Sequence, residues 1–571
     1  MRYQVDESPP FALALGVGMQ STLLAVINVV VISAIVIRTA GGSDAYLSWA
    51  TFAALVICGL VTTLQSVPVG RVGSGYVLTM AASQSFIAIS VTAIAVGGPG
   101  MFAVLVLISS LLQFALGARL ALFRRVLTPT VVGTTVMLVT VTVMPIIFDL
   151  LTDVPAGTDG AAAPVVAATT FVTLLVLVLR APRPWRIWTP VIAIFVGCIV
   201  SAGFGLYEVE GIIGASWFGL PELGWPGWDF GFGVTFWSLL PAFVFVALVD
   251  GMATCGDAIV IQRVSWRQPR ATDYRAVQGA VSATGLSTLL SGLAGTVPNK
   301  VHVLSVGIAE ITGVTARRVG VCGGIIFLVA AFLPKISALL QAIPNPVIAA
   351  YTIVFMGILF SAGVRIIVTQ SGLDYRKATV AGVSFWIGMG FQNGWILADA
   401  LGRWNGLLGN GITTGGLTAI FLTMAMGVRR SRDMETDLDM TALSEIRGFL
   451  GRLCARQGWG PGTNDRLCLA AEETLLTLVR QDETRDEARR LRVAADVRRD
   501  AIDLEFVAAV GGTNIADRIA VLEEAEAEMA MENAVSLRLL RHLSSSVSHR
   551  QYHDTDVVTV RIKIEKALRR S

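Results

Sequence analysis

Apolar runs long enough to cross a bilayer recur along most of this chain, and that one feature restricts what it can fold into. A helix needs about 20 apolar residues to span the hydrocarbon core. Such runs are readable near 11–37, 47–65, 99–117, 126–149, 162–180, 187–206, 235–258, 319–340, 344–363, 377–392 and 411–428. Shorter stretches punctuated by Gly and Pro lie between them, notably 76–97, 278–294 and 298–313. Together they make about fourteen segments of an α-helical, polytopic membrane protein.

Composition separates a second part. The 571 residues are 54% hydrophobic and 15% charged, against about 25% charged in a soluble domain. Residues 1–430 are poor in Asp, Glu, Lys and Arg, whereas 431–571 are dense in them. The reading is a membrane domain over 1–430 followed by a water-soluble domain over 431–571. The six cysteines show no metal or redox spacing, and His542, His549 and His553 all fall in the tail. No metal or other cofactor is therefore expected, nor a nucleic-acid partner; the net charge of +3 itself says little about partners. The opening MRYQVDESPP is acidic and has no short apolar core, so it is not a cleavable signal.

Basic loops belong on the cytoplasmic side. Arg119, Arg124 and Arg125 share one loop, Arg180, Arg183 and Arg186 another, and Arg263, Arg267, Arg270 and Arg275 a third; Arg317 and Arg318 follow, and Arg429, Arg430 and Arg432 close the membrane part. The alternate loops carry Asp149, Asp153 and Asp159, or Glu208, Glu210, Glu222 and Asp229. This pattern puts the tail in the cytoplasm beneath the cell (inner) membrane. The loop around Trp217, Trp225, Trp228 and Trp237 is then external, an aromatic anchor at the interface.

The stretch GTVPNKVHVLSVGIAEITGVTARRVG, residues 295–320, contains no run that could span. Backbone without partners is expensive in lipid, so such a segment persists only against protein or a water-filled cavity. A counterpart, SGYVLTMAASQSF, lies in the first half: Ser83 is 72 residues after Phe11, and Ser305 is 70 after Thr235. Paired broken segments at matching places in two halves point to a transporter's midplane site. Facing helix N-termini would offer positive dipole ends to a polar or anionic solute.

Ionisable groups within spans default to function. Asp250 and Asp257 are seven apart, on nearly one helix face. Asp257 is either a coupling group or a cytoplasmic-end residue. Asp250, about two turns deeper, is either a proton carrier or the partner of Lys300. His302 is a ligand, a proton relay or a hydrogen-bonded packing residue. Ser83, Gln84, Ser85 and Phe86 supply hydroxyls, an amide and a ring, which suit a flat polar heterocycle or helix packing. Glu310 with Arg317 or Arg318 reads as a helix-end pair, and Gln392 with Asn393 as the cap of a later span.

At these residues the chain resembles the nucleobase–cation symporter-2 family, the nucleobase–ascorbate or xanthine/uracil permeases. The likeness covers residues 8 to about 428. It rests on DESPPFALALGVGMQSTLL, RVGSGYVLTMAASQSFIAI, GARLALFRRVLTPTVVGTTVMLV, TCGDAIVIQRVS and PNKVHVLSVGIAEITGVTARRVG. The resemblance implies a seven-plus-seven inverted repeat with two broken segments, a core and a gate domain, and a homodimer. It implies uptake of a purine or pyrimidine base, such as xanthine or uracil, driven by H+ or Na+. The family's Glu-x-x-Gly-Asp/His pattern, aligned on Gly256 and Asp257, puts Ala253 where a base-binding glutamate is expected. Its Glu/Gln-Asn-x-Gly signature, aligned on Gly307 and Pro298, puts Leu304 and Ser305 at the polar pair, with His302 and Val303 beside them. The sulfate/bicarbonate-type anion transporters share the implied architecture, so a small anion held near Lys300 is the alternative substrate. A membrane sensor signalling through its tail is a third reading.

The tail reads as an α/β domain. TALSEIRGFLGRLCARQGW and GTNDRLCLAAEETLLTLVRQ are helical, the second capped by Thr463, Asn464 or Asp465. LRVAADVRRDAIDLEFVAAV alternates like strands, SLRLLRHLSSSVSHR is helical, and DVVTVRIKIEK is a closing strand. The order resembles the histidine-kinase-type ATPases, in particular the anti-sigma-factor kinases. Their magnesium-binding Asn, four residues after a Glu, is Thr477 here after Glu473, and the glycine-rich elements are replaced by AAVGGTN and MENAVSLRLLRHL. The resemblance thus implies a degenerate domain without ATPase activity, serving a regulatory partner or assembly; a structural appendage is the alternative.

Overall fold

A computed structural model describes residues 2–508 and 538–564, apart from 124, 125, 127, 156, 183, 184, 186, 187, 208, 209, 269, 303, 372–374, 397–409, 428–431, 483–489, 498–500 and 554. It divides into two compact units. One comprises Met1–Arg267 with Ala276–Ala425, the other Gln268–Arg275 with Met426–Ser571.

In the first unit the same order of elements occurs twice. The first half has α1 (Phe11–Thr39), α2 (Asp44–Ser66), the short strand β1 (Met80–Ala82), α3 (Ile87–Ala118), α4 (Pro129–Thr152), α5 (Ala162–Arg180) and α6 (Thr189–Gly203). Helix α3 counts as two segments, because Gly98 breaks it with φ 78° just before Pro99. The second half has α7 (Val234–Val264), α8 (Tyr274–Ala294), β2 (Asn299–Val301), α9 (Leu304–Thr312), α10 (Arg317–Ala331), the stub α11 (Pro334–Gln341), α12 (Asn345–Ser371), α13 (Tyr375–Gln392) and α14 (Gly411–Gly427). With each strand counted together with the helix it leads into, and α11 with the turn before α12, each half supplies seven segments. Among the described residues, seven helices are long and apolar enough to cross a membrane by themselves.

The strands β1 and β2 pair antiparallel, Met80 with Val301, Ala81 with Lys300 and Ala82 with Asn299. Corresponding elements that run in opposite directions are what an inverted repeat requires. The broken segments expected at 76–97 and 298–313 are thus strand-then-helix units, and their backbone is paired rather than bare.

Two expectations are corrected here. The run 319–340 is not one straight span: α10 and α11 meet at 82°, because Pro334 has no N–H for a continuing helix. Among the described residues Glu310 pairs with neither Arg317 nor Arg318; the Arg317 guanidinium instead pairs with Asp6 at 3.2 Å and donates to the Gly75 carbonyl at 3.1 Å. Gln392 does cap a later span, accepting from the Gly411 N–H at 2.8 Å.

Helix α10 packs against α1 and α2 through glycines, which lets backbones approach without side chains between them. Thr22 Oγ1 donates to the Gly323 carbonyl at 3.2 Å. A β-carbon at Gly324 would lie 2.7 Å from the Gly59 carbonyl oxygen, closer than atoms tolerate. Gly324→Ala is therefore expected to cost about 1–3 kcal/mol by overpacking, read as a lower thermal midpoint in detergent. Gly256→Ala, where nothing lies within 4 Å, is the contrasting control.

The second unit is an antiparallel sheet of five strands in the order β3-β4-β5-β7-β6: β3 (Arg432–Asp437), β4 (Arg490–Val497), β5 (Ala501–Ala508), β6 (Ser546–Gln551) and β7 (Asp556–Lys563). Helices α15 (Ala442–Gln457) and α16 (Pro461–Asp482) cover it. Ile446, Leu450, Leu453, Leu467, Leu475 and Leu478 meet Val493, Leu504, Phe506, Val558 and Val560 in one core. The strands follow the period-two alternation of LRVAADV and AIDLEFVA.

Three readings of the tail change. Ser546–Gln551 is a strand, not the end of a helix. Helix α16 starts at Pro461, so Thr463, Asn464 and Asp465 lie inside the helix and not at its cap. Edge strand β3 had not been read. Thr477 Oγ1 bonds the Glu473 carbonyl of its own helix at 2.7 Å and so presents no amide oxygen to a metal. AAVGGTN after Ala508 and MENAVS lie outside the described residues.

Candidate functional site

Helix α2 fixes both strands in the protein interior. Thr62 Oγ1 accepts from the Met80 N–H at 3.0 Å. Tyr46 donates to the Gly295 carbonyl at 2.8 Å, and Thr296 Oγ1 to the Ala50 carbonyl at 2.7 Å. The pairing extends past the ladder: the Ser83 N–H donates to the Pro298 carbonyl and the His302 N–H to the Thr79 carbonyl, both at 2.8 Å. Each strand then enters a helical turn, at Gln84–Phe86 after β1 and at Leu304 after β2. Because the strands are antiparallel, the helices depart in opposite directions and their positive N-terminal ends meet at the ladder.

Helix α7 crosses this junction and supplies a carboxylate. Asp250, 3% exposed in its side chain, pairs with Lys300 Nζ at 3.2 Å. Its other oxygen accepts from Ser83 Oγ. Lys300 also donates to Ser85 Oγ at 3.3 Å. One ion pair thus joins α7, the end of β1 and β2, and each charge keeps a hydrogen-bond partner in the interior, as burial requires. Of the two readings open for Asp250, the geometry is that of the pair. Aromatic rings adjoin it: Phe86 lies 5.8 Å from Phe243, and Phe243 lies 6.1 Å from Phe102, between ring centroids. Asp250 and Phe243 are seven residues apart on α7 and share a face.

The remaining candidates sit close by. Ala253 follows Asp250 by one turn and is half-buried, and Asp257 follows by two. The Asp257 carboxylate lies within electrostatic reach of Lys300 and Asp250 and has no direct ion pair among the described residues. His302 is buried, and its carbonyl accepts from Ser305 Oγ at 2.8 Å, which ties the first turn of α9 to the end of β2. Gln84 is buried with its Nε2 unpartnered. Val303 lies outside the described residues, as does the Leu304 side chain.

One residue was missed by sequence reasoning. Asn299 is 1% exposed, and neither polar atom of its side chain has a partner. Alternation along β2 puts it on the face opposite Lys300. The sequence offered no local signal, because Asn299 stands beside Lys300 in VPNKV, where a polar side chain is unremarkable.

Residues 13–395 match the sequence profile of a permease family, that of the xanthine and uracil permeases. The chain is 29% identical over 456 residues to the xanthine permease XanP of Escherichia coli, covering 74% of this chain and 94% of that protein. It is 26% identical over 445 residues to the xanthine permease XanQ of Escherichia coli, covering 74% and 93%. The uracil permease of Bacillus caldolyticus is 26% identical over 319 residues, covering 54% and 73%. Among solved structures, the transmembrane domain of a cyanobacterial bicarbonate transporter, BicA, matches with a TM-score of 0.45 at 14% identity, covering 74% of this chain and all of that one. With two broken segments crossing at a polar junction, and a profile match over most of its length, this multi-pass membrane protein belongs to the nucleobase–cation symporter-2 family, the xanthine/uracil permeases.

Proposed function

We propose that the chain takes up a purine or pyrimidine base, xanthine or uracil in the first instance, through the junction of β1, β2 and α7, coupled to H+ or Na+ at Asp257. The observation that carries this reading is the meeting of both broken segments with one helix at a cluster of hydroxyls, an ion pair and aromatic rings. A planar base has donors and acceptors around its edge and a face that stacks, and this lining offers both. Ser83, Gln84, Ser85, Phe86 and His302 supply it. Leu304 and Ser305 begin the helix that follows β2, and Ala253 leaves open the place of the family's glutamate. Asp257 suits coupling because its carboxylate is half-buried and unpaired. Pairing of Lys300 with Asp250 weighs against the small-anion alternative, since that ammonium is already neutralised. We further propose a homodimer in the cell membrane with a cytoplasmic tail that acts on a regulatory partner, consistent with its poor nucleotide motifs.

The test is uptake of radiolabelled xanthine and uracil into proteoliposomes with an imposed proton or sodium gradient. Accumulation of either base against its gradient is the expected result. Asp257→Asn should abolish the response to the cation gradient, a loss of at least about tenfold in accumulation, the factor that about 1.4 kcal/mol controls. Flux that ignores both bases and follows bicarbonate or sulfate instead would establish the anion alternative.

A further inference from the structure

The cluster at the junction has an odd charge count. Asp250 and Asp257 on α7 are two carboxylates, and Lys300 on β2 is a single ammonium within reach of both. His302 is the remaining titratable side chain near Lys300. Among the described residues, the acidic and basic side chains of the other packed helices are exposed near helix ends: Arg38 in α1, Asp44 in α2, Asp149 in α4 and Glu310 in α9, with none in α3. With both carboxylates ionised and Lys300 charged, the cluster carries one net negative charge.

We propose that Lys300 is a tethered counter-cation that sets the number of coupling cations at one per transport cycle. The inference rests on the reading above that Asp257 is the coupling group. Net charge in a low-dielectric interior is expensive, so the site changes its exposure most readily when the cluster is neutral. Lys300 supplies one of the two positive charges needed and never leaves. A proton or sodium ion at Asp257 supplies the other and travels with the base. The Ser83 and Ser85 hydroxyls of the first broken segment hold the pair that Lys300 of the second makes with Asp250 of α7, so Asp250 is already occupied when the mobile cation arrives.

The count can be changed by substitution. Asp250→Asn leaves one carboxylate against one ammonium, a cluster neutral without any cation. Lys300→Met leaves two carboxylates that need two. The double variant Asp250→Asn/Lys300→Met has one carboxylate and no ammonium, and so needs one again. The experiment measures static-head accumulation of radiolabelled xanthine, and of uracil in parallel, in proteoliposomes clamped at zero membrane potential. The imposed proton or sodium ratio is the variable. Wild-type protein should accumulate base about tenfold further per tenfold cation ratio, since one bound proton corresponds to 2.303RT per pH unit. Lys300→Met should respond about a hundredfold per tenfold ratio. Asp250→Asn should equilibrate the base without accumulation, and the double variant should return to about tenfold. If Lys300→Met does not fold, Asp250→Asn and the double variant still decide. A tenfold response in all variants would overturn the role of Lys300 and leave Asp257 as the coupling group. A tenfold response that survives Asp257→Asn would instead remove the coupling assignment on which this inference stands.

Discussion

Phe506→Ala should bring the tail close to its unfolding threshold and leave base uptake in place. Phe506 sits in the middle strand of the sheet, opposite Val493 on β4 and Val558 on β7, and is fully buried. Truncating a buried Phe costs about 3–5 kcal/mol, transfer and cavity terms together. A domain of this size has only about 5–15 kcal/mol in total, so the variant sits near its unfolding threshold. Hydrogen exchange should accelerate across 490–508 and 556–563 together, because those strands share one core. Exchange within α1, α2 and α10 should not change, since their contacts lie in the other compact unit. Xanthine accumulation should persist, because every group assigned to the junction lies between Ser83 and Ser305. Loss of uptake with intact exchange in the membrane unit would show that the tail takes part in transport itself.

How far the sequence could be read follows from which interactions are local. A span of lipid-facing or core helix announces itself as a run of apolar residues, so most helices from α1 to α14 were legible to within a few residues. The two interruptions were legible for the complementary reason: polar residues with Pro and Gly cannot continue such a run. Their internal structure was not. Strands of three residues carry too little alternation to be seen, and their pairing joins Met80 to Val301 across more than two hundred residues. Whether Asp250 carries a proton or pairs with Lys300 was undecidable for the same reason: the two are fifty residues apart, and only the packing of α7 against β2 brings them together. The 82° bend before α11 was hidden inside an apolar run although Pro334 was in plain view. Asn299 was passed over because nothing local distinguishes a buried, unpartnered amide from one that faces solvent. In the tail, the alternation of β4, β5 and β7 was plain. Ser546–Gln551 was misread because SVSHRQ alternates weakly and follows a leucine-rich helical stretch.

Lys300→Met should cost more stability than removing both members of its ion pair. The ammonium is 11% exposed and the Asp250 carboxylate 3%, so deleting the lysine strands a charge in the interior with Ser83 as its remaining donor. Breaking a buried pair from one side costs about 3–5 kcal/mol, whereas replacing both partners by neutral groups of similar size is often close to neutral. The asymmetry arises because desolvation of the orphaned charge is no longer repaid, while two neutral groups have little to repay. Thermal unfolding in detergent should therefore rank wild type and Lys300→Met/Asp250→Asn close together and Lys300→Met well below both. Asp250→Asn alone removes the ammonium's direct partner, but Lys300 keeps Ser85 and has the Asp257 carboxylate within electrostatic reach, so its cost should be the smaller of the two single variants. Should Lys300→Met prove as stable as the double variant at neutral pH, Asp250 is not held as a charge in the fold, and the charge count at the junction must be drawn without it.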